Sequence, residues 1–163
     1  MPIDTARFKR TVGLIPAGIS VISLVDADGA AYGMTASSVA SLSLKPPMLL
    51  VCVDDEALIR RAIVRVPFFG VSVLAAGQAE LSDRFAGRAN DEAPQPAFEI
   101  VHETPLVEGA AAQFVSKVEK SYWGGDHSLF LGRVEYACYD ESAQPLLFHG
   151  GQYGGLSSGA ELA

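Results

Sequence analysis

The stretch GMTASSVASLSLKPPMLLVCVDD, Gly33 to Asp55, carries enough Val, Leu and Met for two buried strands. Yet Thr35, Ser37, Ser38, Ser41 and Ser43 interrupt it where Val and Ile would serve a core better. Hydroxyls at the point where one strand gives way to the next offer side-chain donors beside free backbone N–H groups. Such a surface suits a planar heterocycle or an anion. The same residues also tolerate an edge strand and a turn. Taken alone, they leave both readings open.

Working outward, Asp4 is placed to cap a helix, and Phe8, Val12 and Ile15 recur at helical spacing before Pro16. Strand, turn and strand follow, with DADG (26–29) as the hairpin. MLLVCVD (48–54) is continuously apolar, which predicts a strand buried on both faces. DDEALIRRAIVRV predicts a helix with Leu58, Ile59, Ala62, Ile63 and Val66 on one side. Arg60, Arg61 and Arg65 take the other side, and Pro67 stops the helix. FFGVSVLAA is a strand, QAELSDRFAG a short helix and RANDEAPQPAFE a loop. AAQFVSKVEKSYW, HSLFLGRVEYACYD and QPLLFHG are further strands. Six or seven strands with a few short helices predict a β-rich α+β fold, closed or nearly closed as a barrel. Residues 1–156 form one domain, and the Gly- and Ser-rich 157–163 a flexible tail.

A chain of 163 residues, 49% apolar, supports a single core without staples. A net charge of -7 with twelve scattered basic residues argues against a nucleic-acid partner. Cys52 and Cys138 stand far apart inside apolar runs and are expected to be reduced core residues. With His102, His127 and His149 they make no zinc spacing, so no metal is expected. VGLIPAGISVISLV is too short to span a membrane and is broken by Pro16 and Gly18. It is not followed by a small-residue cleavage pattern, so the expected location is cytoplasmic, with no membrane partner. No G-x-G-x-x-G follows the first strand, and no P-loop is present.

Four blocks then converge: GMTASSVASLSLKPPMLLVCVD, FGVSVLAAGQAELSDRFAG, GGDHSLFLGRV and PLLFHGGQY. In this order and spacing the chain resembles flavin reductases of the FMN-binding split-barrel type, particularly the reductase components of styrene-type monooxygenases. The resemblance implies a Greek-key-like FMN-binding split β-barrel with short flanking helices, acting as an NAD(P)H:flavin oxidoreductase. It would reduce FMN or FAD with NADH or NADPH and supply a separate monooxygenase, as a homodimer. It also implies that Thr35, Ala36, Ser37, Ser38, Ser41 and Leu42 line the flavin ring and ribityl chain. Cys52, Val53 and Asp54 would present backbone groups to the ring edge, and Arg84, Phe85, Ala86 and Gly87 would approach the phosphate and tail.

On the nicotinamide side the resemblance implies Tyr153 and, as the catalytic residue, His127, whose ring Asp126 could orient. Relatives carry Ser and Thr after the Cys-Val-Asp strand as phosphate donors; here Ala57 and Ile59 stand there, behind Asp54, Asp55 and Glu56. The chain also has Gly154 where relatives often have Arg. Arg84, Arg60 or Arg61 would then have to take the phosphate. A flavoprotein that retains its flavin, or a flavin-binding protein without catalysis, remain the other classes.

Overall fold

Asp26 makes the first hairpin. Its carboxylate accepts the N–H of Asp28 at 3.0 Å and of Ala30 at 2.9 Å, while Gly29 supplies a φ of 80°. The strands on either side therefore pair antiparallel. The computed structural model describes residues 3–89 and 95–156. Helix α1 (Thr5–Val12) leads into β1 (Ala17–Gly18), β2 (Ser20–Val25), β3 (Ala31–Ala36), β4 (Val39–Leu44) and β5 (Pro47–Asp54). Helix α2 (Leu58–Ile63), β6 (Phe68–Val73) and helix α3 (Ala79–Phe85) follow. The second half adds β7 (Phe98–Val101), β8 (Thr104–Val107), β9 (Ala112–Trp123), β10 (His127–Tyr139), β11 (Leu147–His149) and β12 (Gln152–Gly154).

Seven strands form one antiparallel sheet in the order β3-β2-β6-β9-β10-β5-β4. Its inner face closes on a single cluster that includes Ile22, Ala36, Val51, Val53, Phe69 and Phe130. Burying each of the larger side chains here, Val, Ile or Phe, stabilises the fold by about 1.5–3 kcal/mol. Ile59, Ala62 and Ile63 of α2 plug one end of this cluster. The edge strands β3 and β4 are consecutive in sequence and are linked through Ser37 and Ser38 alone, yet no ladder joins them. The barrel is split there.

On the outer side of the sheet, a second cluster of Ile19, Val21, Leu74, Val107 and Leu146 packs against Leu81, Phe85 and Phe148. It seats α3 and the small sheet β1-β11-β12 beside β2 and β6. Gly132 allows the long β10 to pass close over the core: a Cβ there would lie 2.5 Å from the Phe69 ring.

Several expectations need correction. MLLVCVD is not buried on both faces; β5 alternates, with Leu49, Val51 and Val53 inside and Met48, Leu50 and Cys52 half-exposed on an uncovered outer face. Cys138 is likewise half-buried, and both thiols are free. Gly33–Asp55 holds the end of β3, all of β4 and β5, one strand more than the two expected. Helix α2 is shorter than its pattern, and Leu58, expected inward, is exposed. The helix before Pro16 forms with its Asp4 cap, but Phe8, Val12 and Ile15 stay exposed. RANDEAPQPAFE was expected to be loop throughout, but the β7–β8 hairpin starts at Phe98; residues 90–94 and the tail 157–163 lie outside the described residues.

The β7–β8 turn uses His102 and Glu103 at φ 46° and 59°, positions where side-chain-bearing residues are strained. Glu103→Gly should therefore raise stability by about 0.5–1 kcal/mol, read as a higher urea midpoint. An unchanged or lower midpoint would show that the turn is not strained.

Candidate functional site

The split between β3 and β4 opens at Ser37 and Ser38, both exposed. The Ser38 carbonyl accepts the Cys52 N–H at 3.0 Å, which stitches the link to β5. On the other side, the Thr35 hydroxyl donates to the Ser82 carbonyl at 2.6 Å and ties β3 to α3. Two chambers meet at the link, sharing Ser37 and Phe148 as lining. One, about 160 Å³, runs between Ile19, Thr35, Ser82, Arg88 and Tyr153. The other, about 380 Å³, lies under the exposed apolar side of α1, against Phe8, Lys9 and Val12. Hydroxyls, flat apolar walls and two cations thus surround one cleft.

The end of α3 builds the polar wall. Gly87 takes a φ of 69°, and its N–H reaches the Arg84 carbonyl at 3.0 Å while the Arg88 N–H reaches the Asp83 carbonyl at 2.8 Å. This is a Schellman ending, for which glycine is the favoured residue. It turns Arg88 back over the helix, where its Nε and Nη2 lie 3.0 and 2.9 Å from Asp83 Oδ1. The Tyr153 oxygen sits 2.9 Å from Arg88 Nη2, 2.7 Å from Asp83 Oδ1 and 2.9 Å from Ser82 Oγ. With one proton to give, Tyr153 donates to the carboxylate and accepts from Arg88 and Ser82. The Tyr153 hydroxyl first, and Arg88 next, hold the Asp83 carboxyl below its ordinary range.

A second polar group lies at the start of α2. The Asp54 carboxylate accepts the Glu56 N–H at 2.8 Å and its carbonyl the Ala57 N–H at 3.0 Å. Asp55 Oδ1 accepts from Ser128 Oγ at 2.6 Å and from Arg60 Nε at 3.1 Å. The Ser128 bond chiefly, with Arg60 assisting against partial desolvation, keeps the Asp55 carboxyl low. His127, at the head of β10, pairs with Asp54 across the ladder, and its Nδ1 lies 2.8 Å from Asp126 Oδ1. The His127 ring lowers Asp126 in turn.

Of the expected site residues, Thr35, Ser37, Ser38, Ala86 and Tyr153 line the cleft. Gly87 acts through the turn. Ala36 and Val53 point into the core, because strand alternation carries their side chains inward. Ser41 and Leu42 lie on exposed β4 beside its bulge, apart from the cleft lining. Phe85 fills the gap under Gly33 and stands edge-on to Phe98 at 6.0 Å. Cys52 is adjacent through its ladder bond to Ser38, and burial pushes its thiol up. His127 sits two strands from Ser38 and two residues further along, roughly 10 Å across and 7 Å on.

The cations expected to hold a phosphate each have neighbours within the chain. Arg84 Nη2 donates to Gln95 at 2.9 Å, Arg60 is held by Asp55 and Ser128, and Arg61 lines a separate cleft with Asp26 and Asp28. Ile59, in the place of a phosphate-binding Thr, is a core residue. Sequence reasoning missed Ile19, Ser82, Arg88, Phe148 and the α1 wall. For Arg88 a signal was present: a residue just after a helix-ending Gly is folded back toward that helix.

Comparison with known proteins gives a consistent result. The flavin reductase like domain family matches residues 12–157. The NADH-dependent flavin reductase StyB of Pseudomonas fluorescens is 37% identical over 94% of this chain and 91% of its own. The structure of the Streptomyces globisporus C-1027 NADH:FAD oxidoreductase in complex with NAD and FAD fragments superposes with a TM-score of 0.89 at 33% identity, covering 97% of this chain and 96% of that one. The styrene monooxygenase flavin reductase from Pseudomonas putida S12 superposes with a TM-score of 0.85 at 36% identity, over 94% and 99% of the two chains.

The Asp83 network predicts an acid response. Its folded-state pKa is depressed, so its contribution is present above the unfolded value, about 3.9, and is lost as pH falls through the lower folded value. Asp83→Asn should be less stable than wild type at pH 6, and the gap in urea midpoints should shrink toward pH 2. A gap independent of pH would contradict the network.

Proposed function

The chain belongs to the flavin reductase-like domain family, and from that premise we propose that it is an NADH-dependent flavin reductase. It draws FAD or FMN from solution and supplies the reduced flavin to a separate monooxygenase. The observation that carries the reading is the open seam at Ser37 and Ser38, lined by hydroxyls, an apolar wall and two cations.

The residues present fit a flavin. Phe148, beside the buried Ile19, offers flat apolar surface for a ring and is braced edge-on by Tyr153 at 5.3 Å. Ser37 and Ser38 offer exposed hydroxyls and link amides to the polar edge of the ring. Arg88 and Lys9 are the cations lining the cleft, and they take over the phosphate that Ala57 and Ile59 do not hold. Bound flavin supplies the acceptor for the nicotinamide hydride, a step that needs no side chain as acid or base. The protein's part is to hold both rings in register and keep water away. His127, its Nδ1 turned to Asp126, presents its other nitrogen to the nicotinamide end of NADH.

A homodimer belongs to this reading. The outer face of β4, β5, β10 and β9 leaves Leu50, Cys52, Leu129 and Leu131 half-exposed and Tyr122 exposed in one chain. A second copy laid on this face would cover that apolar surface and shield the edge of the site. The reading also places the protein in the cytoplasm; no helix among the described residues is long and apolar enough to cross a membrane.

Steady-state NADH oxidation with added FAD, FMN and riboflavin tests the reading. Turnover should saturate with free flavin; no flavin-dependent NADH oxidation would overturn it. Replacing Ser37 and Ser38 together by Val should weaken flavin binding at least tenfold, about 1.4 kcal/mol. Unchanged affinity in the folded variant removes the seam from the site. Arg88→Ala should weaken FAD and FMN several-fold more than riboflavin, which lacks a phosphate. Equal losses for all three would exclude Arg88 as the phosphate residue.

A further inference from the structure

Asp55, Arg60 and Ser128 form a closed polar cluster around the turn that carries His127. Asp55 grips this turn on both sides of the histidine. Its backbone N–H donates to the Asp126 carbonyl at 3.1 Å, and its Oδ1 accepts the Ser128 hydroxyl at 2.6 Å. Arg60 in turn fixes Asp55: its Nε lies 3.1 Å from the same carboxylate oxygen and 2.8 Å from Ser128 Oγ. The guanidinium is held in place over the Phe130 ring, 5.4 Å from its centroid, and Phe130 is fully buried. Ser128 is itself 5% exposed, so the cluster is anchored in the barrel wall.

The turn needs such an anchor. Gly124 and Gly125 precede Asp126, and Gly125 takes a φ of 92°, so the backbone there has little intrinsic stiffness. The turn is closed by the Gly124 N–H on the His127 carbonyl at 2.9 Å, and the ring is directed by Asp126 Oδ1 at 2.8 Å. Asp126 is 95% exposed, and a carboxylate in open water orients a ring only if its own backbone is fixed. That backbone is fixed from Asp55.

We propose that Asp55 is a positioning residue that sets the His127 ring through the Asp126 carbonyl and Ser128, with Arg60 holding Asp55 in place. For catalysis this rests on the reading that His127 meets the nicotinamide of NADH. A displacement of about 1 Å at a substrate-positioning group can cost on the order of a hundredfold in rate. The effect of Asp55 is therefore expected on NADH and not on flavin.

The test uses Asp55→Ala, Asp55→Asn, Ser128→Ala, His127→Ala and the Asp55→Ala/His127→Ala pair in the full chain. Asp55→Ala should raise the KM for NADH about five- to tenfold while the KM for flavin stays within about twofold. Asp55→Asn keeps the Oδ1 acceptor that Asp55→Ala removes, the backbone N–H being present in both, and should return NADH binding to near wild type. Ser128→Ala should act in the same direction, more weakly, and serves if Asp55→Ala fails to fold. The pair should lose no more than His127→Ala alone, since both act through one ring.

Nitrogen NMR of the ring in ligand-free protein is the direct readout. The wild-type ring should carry its neutral-state proton on Nδ1, facing Asp126, and Asp55→Ala should shift it toward a mixture of tautomers. An unchanged ring spectrum in Asp55→Ala, or an NADH effect that persists undiminished without His127, overturns the proposal. If the spectrum shifts but His127→Ala binds NADH as wild type does, the positioning stands and the nicotinamide role of His127 falls.

Discussion

One ladder is not made, and the rest of the molecule is arranged around it. An unpaired strand edge exposes a row of N–H and C=O groups that must find water, a covering element or a ligand. In this barrel β3 and β4 are edges of one sheet, consecutive in sequence, and no ladder joins them at Ser37 and Ser38. Closing the pair would have completed the barrel and removed the cleft. Instead Thr35 is tied outward to α3 and Ser38 sideways to β5, so the two edges are held apart by bonds to other elements. The hydroxyls in Gly33–Asp55 follow from this: an open seam cannot be lined with Val and Ile and stay wet.

Much of this was legible in the sequence where one residue type has one strong local use. Asp4 caps α1 and Asp26 builds the first turn as their neighbours predict. Ser37 and Ser38 stood out because a core strand has no need of them. What failed depended on partners remote in sequence. An apolar run such as MLLVCVD does not distinguish a strand buried on both faces from one whose outer face a single chain leaves uncovered. Helical period put Arg60 in solvent, but its long side chain folds back over Phe130 to Asp55. Strand alternation turns the Ala36 and Val53 side chains into the core, which leaves only their backbone groups to face outward. The β7–β8 hairpin turns on His102 and Glu103, which give no turn signal, and β12 is only three residues long.

Two arginines divide the electrostatic work. Arg88 is delivered to the cleft by the Gly87 turn and rests on Asp83 and Tyr153, so its charge is balanced yet remains at the surface of the site. Arg60 is spent on structure beside β10. The acids Asp54 and Asp55, which seemed to oppose a phosphate at α2, are occupied by Glu56, Ala57, Ser128 and Arg60. On the proposed function, the phosphate is met at the end of α3, by Arg88, and not at the start of α2. A carrier of reduced flavin must let its ligand go, and a phosphate held by surface cations is suited to release.

The central claim is that flavin occupies the seam where the barrel fails to close. Hydrogen–deuterium exchange of the protein with and without saturating FAD tests it most directly. Protection should appear at the amides of Ser37, Ser38 and Val39, extend to Gly87 and Arg88 at the end of α3, and leave the Asp26 hairpin unchanged. Unchanged exchange at the Ser37–Ser38 link, with protection gathered on another surface, would contradict the account.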